Sequence, residues 1–134
     1  MGLGGCIRYN REDTYQYTEK EMRRRARKLW FKAHRAGGID LLLTHAPAKG
    51  LNDGDDKAHK GFETFNGLLE DYQPKWFVHG HVHLNYDAKL PRVCTHGQTT
   101  VINATERYLF EIPDPDQTAR RKFFWKNPVF TTEN

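Results

Sequence analysis

Residues 76–83 read WFVHGHVH, an apolar run followed by three histidines at alternate positions. The apolar run predicts the end of a buried strand. In an extended segment, side chains at alternate positions point to one side, so His79, His81 and His83 are predicted to face the same way. Gly80 has no Cβ, which allows the backbone to bend there or to approach a ligand closely. Because neutral imidazoles are common ligands of transition metals, this stretch predicts one half of a metal site.

The other half is predicted to begin after an earlier apolar run. Residues 39–43 (IDLLL) predict a short buried strand, and Thr44-His45-Ala46-Pro47 follows it directly. A polar loop over 48–60 and a helix over 61–72 then lead to the strand at 76–78. Such a connection predicts a right-handed crossover between parallel strands. Since parallel strands lie about 4.8 Å apart and end at the same sheet edge, His45 is predicted to lie beside His81 and His83.

The clearest helix is predicted to start at Thr18. Thr18 and Glu21 form a capping-box pattern, and Gly37-Gly38 marks the end of the helix. One face is apolar, and the rest of the helix surface carries many basic side chains (Met22, Ala26, Leu29, Trp30 and Ala33 against Arg23, Arg24, Arg25, Arg27, Lys28, Lys32 and Arg35). Two interpretations of the basic surface remain open: a solvated outer face, or a contact with nucleic acid or phosphate.

Shorter elements are predicted on both sides of this core. Cys6 to Tyr9 predicts a strand entered from the glycine-rich start of the chain. Three further strands, joined as antiparallel hairpins, are predicted at 92–95, 99–102 and 108–112. Residues 1–112 are therefore interpreted as one domain. Residues 113–134 form a basic and aromatic tail, which either folds back over the sheet or is a disordered basic appendage.

Composition narrows the class of protein. The 134 residues carry 21 basic and 17 acidic side chains, a net charge of +4 that is compatible with an anionic substrate. No stretch is apolar enough to predict a membrane helix. Cys6 and Cys94 are interpreted as two reduced, partly buried thiols of a cytoplasmic protein.

The other histidines are not predicted to be metal ligands. His79, inside the strand end, is predicted to hydrogen-bond within the core, whereas His34, His59 and His96 are predicted to lie at the surface.

Two of these motifs resemble those of a known enzyme family. Thr44-His45-Ala46-Pro47 and Gly80-His81-Val82-His83 are similar to the last two metal motifs of calcineurin-like metallophosphoesterases, and the resemblance covers about residues 1–112. It implies an α/β (α+β sandwich) fold, here the C-terminal half of a β-sandwich flanked by helices. It also implies phosphate-ester hydrolysis by water activated at divalent metal ions (Mn, Zn or Fe), normally two per site. His45 and His81 would bind one ion, and His83 would bind the other.

The motifs that the family places before these are missing from the sequence. The chain contains no Asp-x-His, Gly-Asp-x-x-Asp or Gly-Asn-His-Asp/Glu motif. The bridging carboxylate and the catalytic histidine of the family therefore have no counterpart, and no catalytic residue is assigned. The chain is interpreted as a truncated product or as one part of a split phosphoesterase. A separate chain supplying the N-terminal half, or self-association, is then expected.

Two other functions remain open on the sequence alone. The first is a non-catalytic module that binds nucleic acid or metal through the basic helix and the tail at 113–134, with aromatic side chains stacking on bases. The second is a hydrolase with a single zinc ion held by His45, His81 and His83.

Overall fold

The computed structural model describes residues 1–10, 14–84 and 90–112, and the predicted tail at 113–134 lies outside these ranges. Within them the chain is mixed α/β. The elements in chain order are β1 (Gly2–Leu3), β2 (Cys6–Ile7), β3 (Gln16–Tyr17), α1 (Glu19–Arg35), β4 (Leu41–Thr44), α2 (Glu63–Tyr72), β5 (Trp76–His79), β6 (Val93–His96) and β7 (Thr99–Asn103). Strands β1, β4, β5, β7 and β6 form a mixed sheet in that order, and β2 pairs separately with β3.

Helix α1 forms as its sequence predicts. The Glu21 N–H donates to Thr18 Oγ1 (3.3 Å), and the Thr18 N–H donates to Glu21 Oε2 (2.7 Å), which completes the capping box. At the other end the Gly38 N–H donates to the Ala33 carbonyl (2.9 Å) and Gly37 has a φ of 80°, as in a Schellman motif. The apolar face is buried and seven Lys and Arg side chains are exposed (Lys20, Arg23, Arg24, Arg27, Lys28, Lys32 and Arg35).

The predicted connection of two parallel strands through a helix is confirmed. β4 and β5 are parallel, with Leu42 opposite Phe77, and α2 lies between them in the chain. Leu42, Phe77 and Val101 belong to the same fully buried core as the apolar faces of both helices. The first turn of α2 has no cap of its own, and Glu19 at the start of α1 accepts hydrogen bonds from the Glu63 and Thr64 N–H groups (3.2 and 2.7 Å). This contact joins the two helices at one end.

On the face of the sheet away from this core, a row of apolar side chains crosses four strands. Leu43, Val78, Ile102 and Val93 are consecutive partners in the strand register. The two inner members are buried, whereas Leu43 at one end is 52% exposed and Val93 at the other is 41% exposed. The sheet therefore presents apolar surface on both of its faces.

Two predicted strands differ from the observed ones. The start of the chain forms two short strands, because Gly2–Leu3 adds to the sheet beside β4 while Cys6–Ile7 turns away to pair with β3. The predicted strand at 108–112 is wrong. The strand that precedes it, β7, already has β5 on one side and β6 on the other, so it offers no free edge. Leu109, in the middle of that segment, is 88% exposed.

Two of the predictions made from composition can be compared with the structure. Cys6 and Cys94 are not joined by a disulfide, and both are half-buried. No helix among the described residues has the length and apolar character needed to cross a membrane.

Candidate functional site

His45 and His81 lie side by side at the carboxyl ends of two parallel strands. His45 follows the last residue of β4 directly, and His81 comes two residues after the end of β5. The Gly80 N–H donates to the His45 carbonyl (3.0 Å), which joins the two backbones just beyond the strands. The centroids of the two imidazole rings are 4.8 Å apart, at an interplanar angle of 56°. The parallel arrangement therefore brings together the two histidines that the sequence predicts to be neighbours.

A tight turn fixes the position of His81. The Val82 N–H donates to the Gly80 carbonyl (2.8 Å), and His81 between them has a φ of 68°. This is the bonding pattern of a γ-turn with a positive φ, a rare and strained conformation for a residue with a side chain. The buried Asn103 and Thr105 side chains hold the turn by donating to the Val82 carbonyl (2.8 and 3.0 Å). Strain of this kind persists only where the surroundings impose it, and it is concentrated at functional sites.

Glycine in place of His81 is expected to be tolerated better than alanine. Both His81→Gly and His81→Ala remove the imidazole, but only alanine retains a Cβ that opposes a φ of 68°. The glycine variant should therefore be more stable than the alanine variant by about 1 kcal/mol. Urea unfolding of the two variants measures this difference.

The neighbouring Val82 provides the matched control. Val82 does not have a positive φ, so Val82→Gly should be less stable than Val82→Ala, by roughly 0.5–1 kcal/mol. If His81→Gly were no more stable than His81→Ala, the γ-turn would not be strained.

The surroundings of His81 keep its ring neutral and fix its tautomer. Burial lowers the pKa of His81 below its ordinary value. His81 Nε2 lies 2.7 Å from the Ala58 carbonyl oxygen, which can only accept, so Nε2 carries the proton and Nδ1 holds the lone pair. A metal-binding histidine commonly donates its other ring N–H to a backbone carbonyl in this way. His45 is exposed, with its ring open to incoming ligands.

The loop between β4 and α2 positions the Ala58 carbonyl. The Asp53 carboxylate accepts from the Gly50 N–H (2.9 Å) and from the Gly61 N–H (3.0 Å), which closes the two ends of the loop. Asp56 then accepts from the N–H groups of Ala58 (2.8 Å) and His59 (3.1 Å) and forms a local turn. This long polar loop therefore folds back onto the site.

His59 belongs to the site, although the sequence interpretation separates it from the other histidines. Its side chain is 28% exposed, and its ring centroid is 5.2 Å from that of His81. His59 Nδ1 lies 2.7 Å from Asp56 Oδ2, and this hydrogen bond lowers the pKa of the Asp56 carboxyl. The prediction that His59 is an ordinary surface residue is therefore wrong. The spacing Asp56-x-x-His59 in a loop between two histidine motifs is the signal that could have identified it.

His79 and His83 do not share the setting of His81. The turn at 80–82 interrupts the extended backbone, so the prediction that His79, His81 and His83 face one side is wrong. His79 is 1% exposed and its Nδ1 lies 3.0 Å from the Gly80 carbonyl oxygen, which confirms its predicted place in the core. Burial lowers its pKa to about 4. His83 follows the turn and is exposed.

A pocket of about 420 Å³ opens beside the imidazole pair. His45 and His81 line one side of it. The other side is formed by the first residues of the chain and by the segment around β3, including Cys6, Tyr9, Tyr15 and Gln16. The pair is therefore accessible to a small molecule.

The fit to a metal ion is partial. Neutral imidazoles, one of them oriented by a backbone carbonyl, suit a divalent transition metal. Within residues 1–10, 14–84 and 90–112, however, no group of three or more His, Cys, Asp or Glu side chains is arranged to hold one. Further ligands would have to come from another segment or from a rearrangement of His59 or His83. Comparison with known proteins gives no match to a family model, a curated protein or a solved structure.

Proposed function

We propose that this chain contributes the imidazole side of a metal-dependent phosphoesterase site, in the manner of calcineurin-like metallophosphoesterases. One observation carries the proposal. Two imidazoles from successive parallel strands lie 4.8 Å apart, and one of them is held in a strained turn by buried side chains. A structural histidine pair would not require that strain, whereas a ligand-binding pair gains a fixed orientation from it.

His45 and His81 would hold one divalent ion, and His83 would contribute to a second. Such an ion, when bound, polarises phosphoryl oxygens and lowers the pKa of water toward neutrality. The chain's own contribution is to present neutral ring nitrogens. Burial lowers the pKa of His81, which favours its neutral form, and the Ala58 carbonyl holds the proton on Nε2 so that Nδ1 keeps its lone pair.

Carboxylate ligands are the part of the site that this chain does not supply. A bridging carboxylate would come from a polypeptide segment that carries the acidic motifs missing here. The exposed ends of the apolar row, Leu43 and Val93, lie on the sheet face where a second layer would pack. The substrate class proposed is a phosphate mono- or diester.

Metal titration tests the imidazole pair itself. Calorimetric titration of the chain with Zn²⁺ should show a site whose affinity falls by roughly 100-fold in His81→Ala, because loss of an orienting contact alone costs about 10- to 100-fold. His45→Ala should weaken binding in the same way. His34→Ala is the matched control, since His34 is exposed on α1 outside the pocket lining. If Zn²⁺ bound the unsubstituted chain and His81→Ala with equal affinity, the proposed metal site would be wrong.

A further inference from the structure

The pocket beside the imidazole pair has a second side whose chemistry is different. Tyr9 and Tyr15 both line it, and they are 45% and 76% exposed. Large aromatic side chains lose the benefit of burial when they are exposed, so two of them around one pocket indicate a surface that a ligand covers. The volume of about 420 Å³ is within the range of small-molecule sites, roughly 300–1,000 Å³. A phosphate group at the histidines would leave the tyrosine side unfilled.

The backbone on both sides of the pocket is pinned in place. Tyr15 has a φ of 65°, in the left-handed region, and its carbonyl accepts a hydrogen bond from the Cys6 N–H (3.1 Å). The Tyr9 N–H donates to Oε1 of Gln16 (3.1 Å), a side chain that is only 6% exposed. The backbone of Tyr15 is therefore strained, although its side chain is exposed. Packing alone does not explain this combination.

The charge around the tyrosines also limits what they can bind. Among the residues that the structure describes (1–10, 14–84 and 90–112), those that line this side of the pocket are uncharged. The nearby Arg8 is engaged with the Glu21 carboxylate, at 3.0 Å. The tyrosine side therefore suits a neutral planar group better than a second phosphate.

We propose that Tyr9 and Tyr15 form an aromatic subsite that takes the planar ring of a phosphate ester whose phosphate lies at His45 and His81. The ligand class is a ring-bearing phosphate, with the ring supplied by a nucleobase or by another aryl group. This inference rests on the proposed function for the position of the phosphate, but the subsite itself rests on the tyrosines.

Binding of matched phosphate esters to the whole chain tests the subsite. The probes are adenosine monophosphate, p-nitrophenyl phosphate and glycerol 2-phosphate, titrated calorimetrically in the presence of Zn²⁺. The ring-bearing esters should bind about 5- to 150-fold more tightly than glycerol 2-phosphate, the range that ring stacking contributes. Tyr15→Ala and Tyr9→Ala should reduce that preference to about 2-fold or less, whereas Tyr15→Phe should retain it. Tyr108→Ala, at an exposed tyrosine outside the pocket lining, should leave the preference unchanged.

The outcomes of these titrations distinguish a nucleobase from another aryl group as the ring. They also distinguish a failure of the aromatic subsite from a failure of the proposed phosphate site. A preference for adenosine monophosphate over p-nitrophenyl phosphate assigns a nucleobase, and the reverse assigns a simpler aryl group; either one supports the subsite. Equal affinity for all three esters, or a ring preference that survives in Tyr15→Ala, overturns the subsite and leaves the proposed function intact. If no ester binds, adenosine decides: binding that Tyr15→Ala abolishes supports the subsite and counts against the phosphate site, and no binding overturns the subsite.

Discussion

Phosphoesterase activity is expected when this chain is co-expressed with a polypeptide that carries the acidic motifs it lacks, and His81→Ala in that pair should reduce the activity by at least roughly 100-fold. The expectation follows because the imidazole ligands and the carboxylate ligands of the metal site would come from different polypeptides. The chain presents the imidazoles of His45 and His81 at one sheet edge, whereas the acidic motifs that would supply the carboxylates of a two-metal centre are absent from the printed sequence. Hydrolysis of bis-p-nitrophenyl phosphate with added Mn²⁺ or Zn²⁺ measures the effect.

Three variants of the two co-expressed polypeptides show whether the loss of activity is specific to the proposed metal ligands. His83→Ala should also lose activity, because His83 is assigned to the second ion. His34→Ala should retain it, since His34 lies on α1 and does not line the pocket beside His45 and His81. A pair carrying His81→Ala or His83→Ala that remained as active as the unsubstituted pair would show that the phosphoesterase assignment is wrong.

The free energy of unfolding is expected to fall by about 3 kcal/mol through His79 alone as the pH decreases from 6.5 to 4. Burial lowers the pKa of His79 to about 4 in the folded chain, from 6.5 when unfolded. Between these values the unfolded chain binds a proton that the folded chain does not, so stability is full above pH 6.5 and is lost as the pH falls. A difference of about 2.5 pKa units corresponds to roughly 3 kcal/mol. Urea unfolding at a series of pH values measures the change.

A variant without the titrating group isolates this contribution. His79→Leu keeps an apolar side chain at the buried position but cannot bind a proton, so its stability should decrease less over the same pH range. His81 and the carboxyl groups titrate in both proteins. The difference between the two curves of unfolding free energy against pH therefore gives the contribution of His79. Parallel curves for the two proteins would mean that the buried ring is not held neutral.

The elements that the sequence predicts correctly are those specified by neighbouring residues. Both ends of α1 depend on contacts within three to five positions, Thr18 with Glu21 and Gly38 with Ala33, so the pattern is visible along the chain. The crossover from β4 to β5 depends on chain length and handedness, which also need no distant partner. From the parallel pair alone, the closeness of His45 and His81 follows.

What the sequence does not reveal depends on contacts between distant residues. The γ-turn at His81 is held by Asn103 and Thr105, which lie more than twenty positions later in the chain. No local sequence pattern predicts a positive φ at a histidine. His59 reaches the site only because Asp53 closes the loop that carries it. The false strand at 108–112 has the right alternation of residues, but alternation does not show whether a sheet edge is available.

Imidazole nitrogen chemical shifts, measured on the ¹⁵N-labelled chain before and after addition of Zn²⁺, show directly whether His45 and His81 bind one metal ion together. We expect His81 to be protonated at Nε2 at neutral pH, because this atom donates to the Ala58 carbonyl. Addition of Zn²⁺ should then shift Nδ1 of His81 together with a ring nitrogen of His45. Shifts confined to His34 or His96, or no change at His81, would contradict a metal site at the ends of these two strands.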